Sequence, residues 1–513
     1  MSTTTIVLAV PIVLPLIAAG VSLLLSPYPI AQRILGAAVV VSVLADAAVL
    51  VVVVDHSGPQ TLQGGGWPVP LGITIVADRF SALALLVAVV VCLTVLVYAV
   101  GQGSAEQRIE NVPSVFHPTY LVLLAGIALV FLTGDLFTLF VGFEVMLMAS
   151  YVLSTLGPTV ERVRAGMTYV VSSLTASILL LTNIGLIYAV TGTVNLAQLA
   201  EAVPALTDGM RQFLGLLLLV ALGIKAALVP LHWWLPDSYP ATPAPSTAIF
   251  AALLTKVAVY AIVRTQTLLF PREEPWTLLL VAAAATMLLG VLGALAQDGL
   301  NRVLSFTLVA HIGFMMFGLA MSSAVALAGT VIYLVHHIVV QAALFLVCGL
   351  VERERGSAAF SRLGGLAGSA PLTAALFLVP ALSISGIPPL AGFVAKLALL
   401  QAAVGEPTPL VLVTTAIALI TSLLTLAAMA RVWSTAFWGA PQAESGTHPS
   451  RAGSATARTP PRLMVGAATV AVLVGLTLAA AAGPLSAFAH RAAADLADAD
   501  RYRIAVLGTG ETP

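Results

Sequence analysis

Lysine is almost missing from this 513-residue chain. Lys225, Lys256 and Lys396 are its three lysines, and the rest of the 22 basic residues are arginines. Charge of either sign is scarce: 9% of residues are charged, against about 25% in soluble domains. That shortage excludes an ordinary soluble domain, and the net charge of +0 gives no sign of a nucleic-acid or other polyanionic partner. Two cysteines, Cys92 and Cys348, stand in apolar stretches without CxxC or Cys/His ligand spacing. This argues against a metal or haem centre and leaves both as packing residues. No GxGxxG or Walker pattern follows a strand signal, so no nucleotide site and no cofactor are expected.

What the chain has instead is hydrocarbon, at 59% hydrophobic residues. Counting about 20 apolar residues per crossing, it reads as an all-α polytopic membrane protein with about fourteen transmembrane helices. They are expected near residues 5–25, 32–54, 78–100, 118–134, 136–155, 165–190, 213–231, 244–266, 277–297, 302–320, 325–350, 371–402, 408–436 and 464–482. The first contains Pro11 and Pro15 and has neither a basic leader nor a small-x-small cleavage site, so it reads as a retained helix and not a signal peptide. The whole chain forms a single membrane domain. Residues 439–462, rich in Gly, Pro and Ser, read as a mobile polar linker before the last helix, and residues 483–513 as a tail.

Arginine placement sets an orientation. Arg33, Arg108, Arg162, Arg164, Arg302, Arg353, Arg355, Arg362, Arg431, Arg451, Arg458 and Arg462 fall in one set of alternate loops. Arg79, Arg211, Arg264 and Arg272 make up the opposite set before the tail. The first set is expected to be cytoplasmic, which leaves both termini outside.

All three lysines sit inside apolar runs: GLLLLVALGIKAALVPLHWWLP, STAIFAALLTKVAVYAIV and GIPPLAGFVAKLALLQAAV. A cation at the bilayer centre costs about 2.5–3.5 kcal/mol on insertion scales, so such residues face a partner or water and mark ion paths. Pro230 follows Lys225 and must disturb its helix. Pro388 and Pro389 precede Lys396. Backbone groups freed by such breaks are tolerated at membrane depth where they are buried in protein or face water. His232 and Asp237 follow in the same proline-rich connection, and Asp237 could accept a proton or cap a helix. Histidine titrates near neutral pH, which suits a relay; His311, His336 and His337 are candidates, although a buried histidine is more often a satisfied core group. Asp46, mid-helix in VLADAAVL, reads as a contact to another chain or a structural cap. Asp78, Arg79 and Asp135 lie near helix ends and read as interface anchors, and Trp233, Trp433 and Trp438 as members of aromatic belts.

The ordered pattern KAALVPLHWWLPD followed by TPAPSTAIFAA is specific. With LTGDLFTLFVGFEVMLMASYVL, TLVAHIGFMMFGLA, YLVHHIVVQAALFLVCGLVE and SISGIPPLAGFVAKLALL, it resembles the proton-conducting antiporter-like subunits shared by respiratory complex I and Mrp sodium/proton antiporters, over nearly the whole chain. VADRFSAL, TKVAVYAIVR, RVWSTAFWG and the length make it most similar to the D-type subunit of Mrp antiporters. The lateral helix of the distal complex I homologue is not expected here.

That resemblance implies two inverted five-helix repeats, helices 4–8 (118–266) and 9–13 (277–436), after three helices in residues 1–117, with helices 7 and 12 discontinuous. It implies that Glu144 pairs with Lys225 as a switch, and that Lys256, His337 and Lys396 carry the proton onward. Gln341 stands where complex I homologues often have lysine, and it cannot itself titrate. His232, Asp237, His311, His336 and Gln341 are therefore possible relay groups. The implied function is proton translocation in a bacterial plasma-membrane complex, with other subunits as partners and protons and sodium as cargo. A redox-driven proton-pumping subunit of complex I or of a membrane-bound hydrogenase is the alternative. A scaffold whose charges only fix helix packing is a third reading.

Overall fold

The structure, a computed structural model, describes residues 3–103, 115–157, 159–405, 407–439 and 459–508. Apolar runs that cannot hydrogen-bond with lipid must satisfy their backbone internally, and they do so as helices. In chain order these are α1 (Thr3–Leu24), α2 (Pro29–Ser57), α3 (Arg79–Gln102), α4 (Phe116–Leu132), α5 (Leu136–Thr155), α6 (Val160–Thr191) and α7 (Asp208–Ala226). Then come α8 (Ala244–Leu268), α9 (Thr277–Leu295), α10 (Leu300–Ala320), α11 (Ala324–Arg355), the two halves α12a (Pro371–Ser385) and α12b (Ala391–Gly405), α13 (Pro409–Trp438) and α14 (Arg462–Ala480). Twelve of these are long and apolar enough to cross a membrane alone. With the shorter α4 and the broken pair α12a and α12b, the fourteen expected crossings are all present.

Two expected helices end early, for the reason their prolines suggest. α7 stops at Ala226, and Ala227 turns left-handed at φ 60°. A short helix, Trp234–Ser238, resumes beyond Pro230, and the Trp234 indole N–H donates to the Ile224 carbonyl at 2.9 Å, beside the Ala227 N–H. α12 is interrupted between Ser385 and Ala391, with Gly386 left-handed at φ 88°.

Three features depart from the sequence reading. Residues 60–63 and 74–77 form an antiparallel hairpin in register Gln60 with Ala77, short strands hidden between two hydrophobic helices. The tail folds as α15 (Ala482–Ala497) and α16 (Ala499–Leu507). Asp78 and Asp135 are buried instead of anchoring an interface. Asp78 caps α3 by accepting from Ser81 N–H at 2.9 Å, and Asp135 caps α5 by accepting from Thr138 N–H at 2.5 Å. Burial pushes the Asp135 carboxyl up despite that amide. Most of the polar stretch 439–462 lies outside the described residues.

The central helices are α8 and α11, buried along their whole apolar length, while α13 and α14 leave most of their apolar surface outward as lipid-facing helices must. Two groups of five helices repeat one arrangement. An isolated bridge joins Asp135 to Asn195, tying the α4–α5 turn to the α6–α7 connection. A second joins Gly299 to Ala359, tying the α9–α10 turn to the α11–α12a connection. Five is an odd number, so the second group starts from the opposite side of the membrane. Glycine lets the leading pair of each group touch: a Cβ on Gly126 would lie 2.6 Å from the Met146 nitrogen, and one on Gly313 would lie 2.8 Å from the Met287 nitrogen.

Candidate functional site

The buried charges line up through the centre of both groups. Lys225 occupies the last turn of α7, where the unpaired carbonyls of a helix C-terminus favour a cation. Its Nζ lies 3.9 Å from Glu144 Oε1 on α5, too far for a direct hydrogen bond. Ser177 on α6 closes the gap: Lys225 Nζ donates to Ser177 Oγ at 2.9 Å, and the same hydroxyl donates to Glu144 Oε1. Phe143 offers its ring face to the ammonium, 5.1 Å from the centroid. The expected pair is therefore a triad. Nothing in the local sequence pattern separates Ser177 from Ser172 and Ser173, which occupy the same helix, so its part is visible in the fold alone.

Lys256 is wholly buried. The turn before it, Phe250–Leu254, is π-helical, and the Ala251 carbonyl accepts from Lys256 Nζ. Such π turns mark functional sites in helices, and no residue pattern in FAALL announces one. Lys396, on α12b beyond the break, is held differently from Lys225: its Nζ donates to the Ile384 and Ser385 carbonyls, both at 3.0 Å, at the end of α12a. Phe314 supplies the ring face, 5.1 Å away.

Three histidines stand between these lysines. His311 on α10 stacks on His337 of α11, with centroids 5.4 Å apart and planes within 7°. His311 Nδ1 shares a 2.6 Å hydrogen bond with the Tyr333 hydroxyl. Tyr333 lies one turn before His337, so the spacing in YLVHH could have identified it. Both ring nitrogens of His337 lack a hydrogen-bond partner among the described residues. His336 faces the first turn of α12b, where a Cβ on Gly392 would lie 2.9 Å from its Nε2. Gln341 Nε2 donates to the Leu304 carbonyl at 3.1 Å, crossing from α11 to α10.

Two of the possible relay groups stand apart. Asp237 is exposed and pairs at 3.2 Å with Arg302 on the arginine-rich side. His232 is half-buried in the break after α7. Asp46 is half-buried on α2, and its Oδ2 has no hydrogen-bond partner among the described residues. On the opposite side from the arginine-rich loops, a stripe descends α8 from Lys256 through Tyr260 to Arg264, which pairs with Asp78 at 2.6 Å inside the protein. Tyr260 donates to the Phe131 carbonyl at 2.7 Å.

Comparison with known proteins agrees with this architecture. A family model described as NADH:quinone oxidoreductase/Mrp antiporter, TM, matches residues 133–425. The D-type subunit of the Na(+)/H(+) antiporter of Alkalihalophilus pseudofirmus is 40% identical over 432 residues, 84% of this chain and 86% of that one. Its counterpart from Bacillus subtilis is 36% identical over 435 residues, with the same shares covered. A chain in the structure of the Mrp complex from Dietzia sp. DQ12-45-1b superposes with a TM-score of 0.91 at 34% identity, over 99% of this chain and 100% of that one. A chain of the membrane-bound sulfane sulfur reductase, an archaeal respiratory membrane complex, gives 0.85 at 25% identity, over 98% and 99%. The chain belongs to the NADH:quinone oxidoreductase/Mrp antiporter membrane family, and within it to the D-type subunits of Mrp sodium/proton antiporters.

Proposed function

We propose that this chain is the proton-translocating subunit of a multisubunit sodium/proton antiporter, with Glu144, Lys225, Lys256, His337 and Lys396 as its proton path. The observation that carries the reading is the Glu144–Ser177–Lys225 triad at the broken end of α7. An ammonium in a low-dielectric interior is stable while a carboxylate and a hydroxyl hold it. Movement of the broken segment that withdraws those partners leaves an isolated buried charge, which sheds its proton to the next acceptor. Lys256 receives it at the centre, the His311–His337 stack spans the interval between the groups, and Lys396 delivers it. Other subunits of the assembled complex couple this flow to cation export, so the chain acts as a transporter component and not as an enzyme. The arginine-rich loops face the cytoplasm of a bacterial cell, with both termini outside its plasma membrane.

The likeness to a respiratory membrane complex supports a second reading, a redox-driven pump built on the same helices. The higher identity to antiporter subunits favours the first. The test is cation-dependent proton movement in everted vesicles carrying the complete complex, wild type against Lys256→Ala. Loss of about a hundredfold or more in rate is expected for a proton-transfer group. Undiminished movement in an assembled Lys256→Ala complex would remove Lys256 from the path.

A further inference from the structure

Asp46 is a carboxylate at membrane depth that the proposed path leaves unused. It stands on α2 about 25 Å along the helix axis from Pro29 and about 16 Å from Ser57. A hydrocarbon core about 30 Å thick encloses it wherever that core sits along the helix. At such depth an ionisable side chain faces a partner, the interior of a bundle or water. Within this chain Asp46 is half-buried, and its Oδ2 has no hydrogen-bond partner among the described residues. Its place in the middle of a 29-residue helix rules out a capping role.

The surrounding helix shows where the partner lies. α2 packs against α1 and α3 and turns outward a face made of Ala38, Val41, Ser42, Ala45, Val49 and Val52, all exposed. Their spacing keeps them in one sector of the helix. Ser42 lies one turn before Asp46 and Val49 one turn after it, so the carboxyl sits on the flank of that face. The Ser42 hydroxyl is spent on the Ala38 carbonyl, to which it donates at 2.8 Å.

Three kinds of occupant compete for the face. Lipid acyl chains carry no donor, and their headgroups stay outside the hydrocarbon core that holds Asp46. A second copy of this chain, related by a twofold axis along the membrane normal, would set Asp46 against Asp46 at the same depth, where two carboxylates repel. A transmembrane helix of a different subunit meets both demands. The small side chains of Ala38, Ser42 and Ala45 let its backbone come close, and a lysine, arginine, histidine or amide side chain level with Asp46 completes the carboxyl.

We infer that the outward face of α2 is a docking surface for a transmembrane helix of another subunit, one that presents a basic or amide donor to Asp46 inside the membrane. The inference rests on the reading of this chain as part of a multisubunit antiporter and names one of its joints. Asp46 holds a neighbour in register and moves no proton along the path.

The test places the photo-crosslinker p-benzoylphenylalanine at Val49, which is 48% exposed, in the complete complex in native membranes. Illumination is expected to join it to one membrane-embedded subunit other than this chain, with a basic or amide side chain within one turn of the attachment point, as mapped by mass spectrometry. Asp46→Leu is expected to lower both that cross-link and the co-purification of that subunit about tenfold, whereas Asp46→Asn, which keeps an acceptor oxygen, stays within about threefold. A product with lipid or a second copy of this chain alone, a segment without a donor, or no product at all overturns the docking. An Asp46→Leu complex that cross-links as wild type does the same. Where Asp46→Leu does not accumulate, the site of the Val49 cross-link decides. Antiport in the same membranes separates the two readings. With Lys256→Ala silent, a failed cross-link removes the docking surface and leaves the proton path standing. Transport undiminished by Lys256→Ala removes the path, while the cross-link still judges the surface.

Discussion

At the scale of single residues, the proposed function hangs on how each buried ammonium is held. Lys225 and Glu144 are too far apart to hydrogen-bond, so the Ser177 hydroxyl is the physical link between them. A hydrogen bond to a charged group contributes about 1.5–3 kcal/mol. Ser177→Ala is therefore expected to lower the antiport rate about tenfold with complex assembly unchanged, measured by the fluorescence of a pH-sensitive dye in vesicles. An unchanged rate would show that the hydroxyl lies outside the switch. Tyr333→Phe removes the partner of His311 Nδ1 and is expected to slow transport by about threefold to tenfold, because the stacked rings lose the bond that orients them. Wild-type transport in that variant would reduce the His311–Tyr333 contact to packing. The three lysines were visible in the sequence because charge among apolar residues is conspicuous. Ser177 was not, since neutral hydroxyls are common in transmembrane helices and only its partners distinguish it.

At the scale of elements, every lysine of the proposed path stands beside irregular backbone. α7 ends at Lys225, a π turn precedes Lys256, and α12a frays opposite Lys396. In each case carbonyls that a regular helix would use internally become available, and near Lys256 and Lys396 the ammonium takes them. Prolines made two of these irregularities legible, since proline cannot donate and clashes one turn back. The π turn carries no such mark; it packs against α11. Close helix contact is also an element-scale property. Gly126→Val would push a side chain into the Met146 backbone, and overpacking of this kind costs about 1–3 kcal/mol or more. The variant is expected to lose most of its accumulation in the membrane, whereas Gly466→Val, with nothing within 4 Å, is expected to accumulate normally. Quantitative immunoblotting of membranes checks both, and equal accumulation would contradict the close-contact account.

At the scale of the whole molecule, the first helices and the tail are fastened together. Arg79 at the start of α3 pairs with Asp55 of α2 at 2.8 Å and with Asp495 of α15 at 2.7 Å. Arg491 reaches back to Asp55 at 2.7 Å, and Arg501 joins Asp495. Tyr502 of α16 closes over Arg264, 5.3 Å from ring centre to guanidinium. Because Arg79 and Asp495 are nearly buried, removing one partner strands charge in a poorly solvated place, at a cost of about 3–5 kcal/mol less whatever Asp55 retains. Asp495→Ala is expected to release α15 and α16, seen as faster limited proteolysis of the tail in the solubilised complex; unaltered protection would count against the clamp. The contacts of Arg79 and Asp55 with the tail could not be read from the sequence, because Asp495 and Arg491 lie more than four hundred residues away along the chain. By itself the sequence determined what lipid and proline dictate locally: fourteen crossings, a helical membrane body, two broken helices and three lysines buried at membrane depth. Only the tertiary structure decided how those charges are held, through a serine, a π turn and the carbonyls at the end of a broken helix. The physical reason is that burial of charge is a local cost written in composition, whereas its compensation comes from groups that folding alone brings within hydrogen-bond distance.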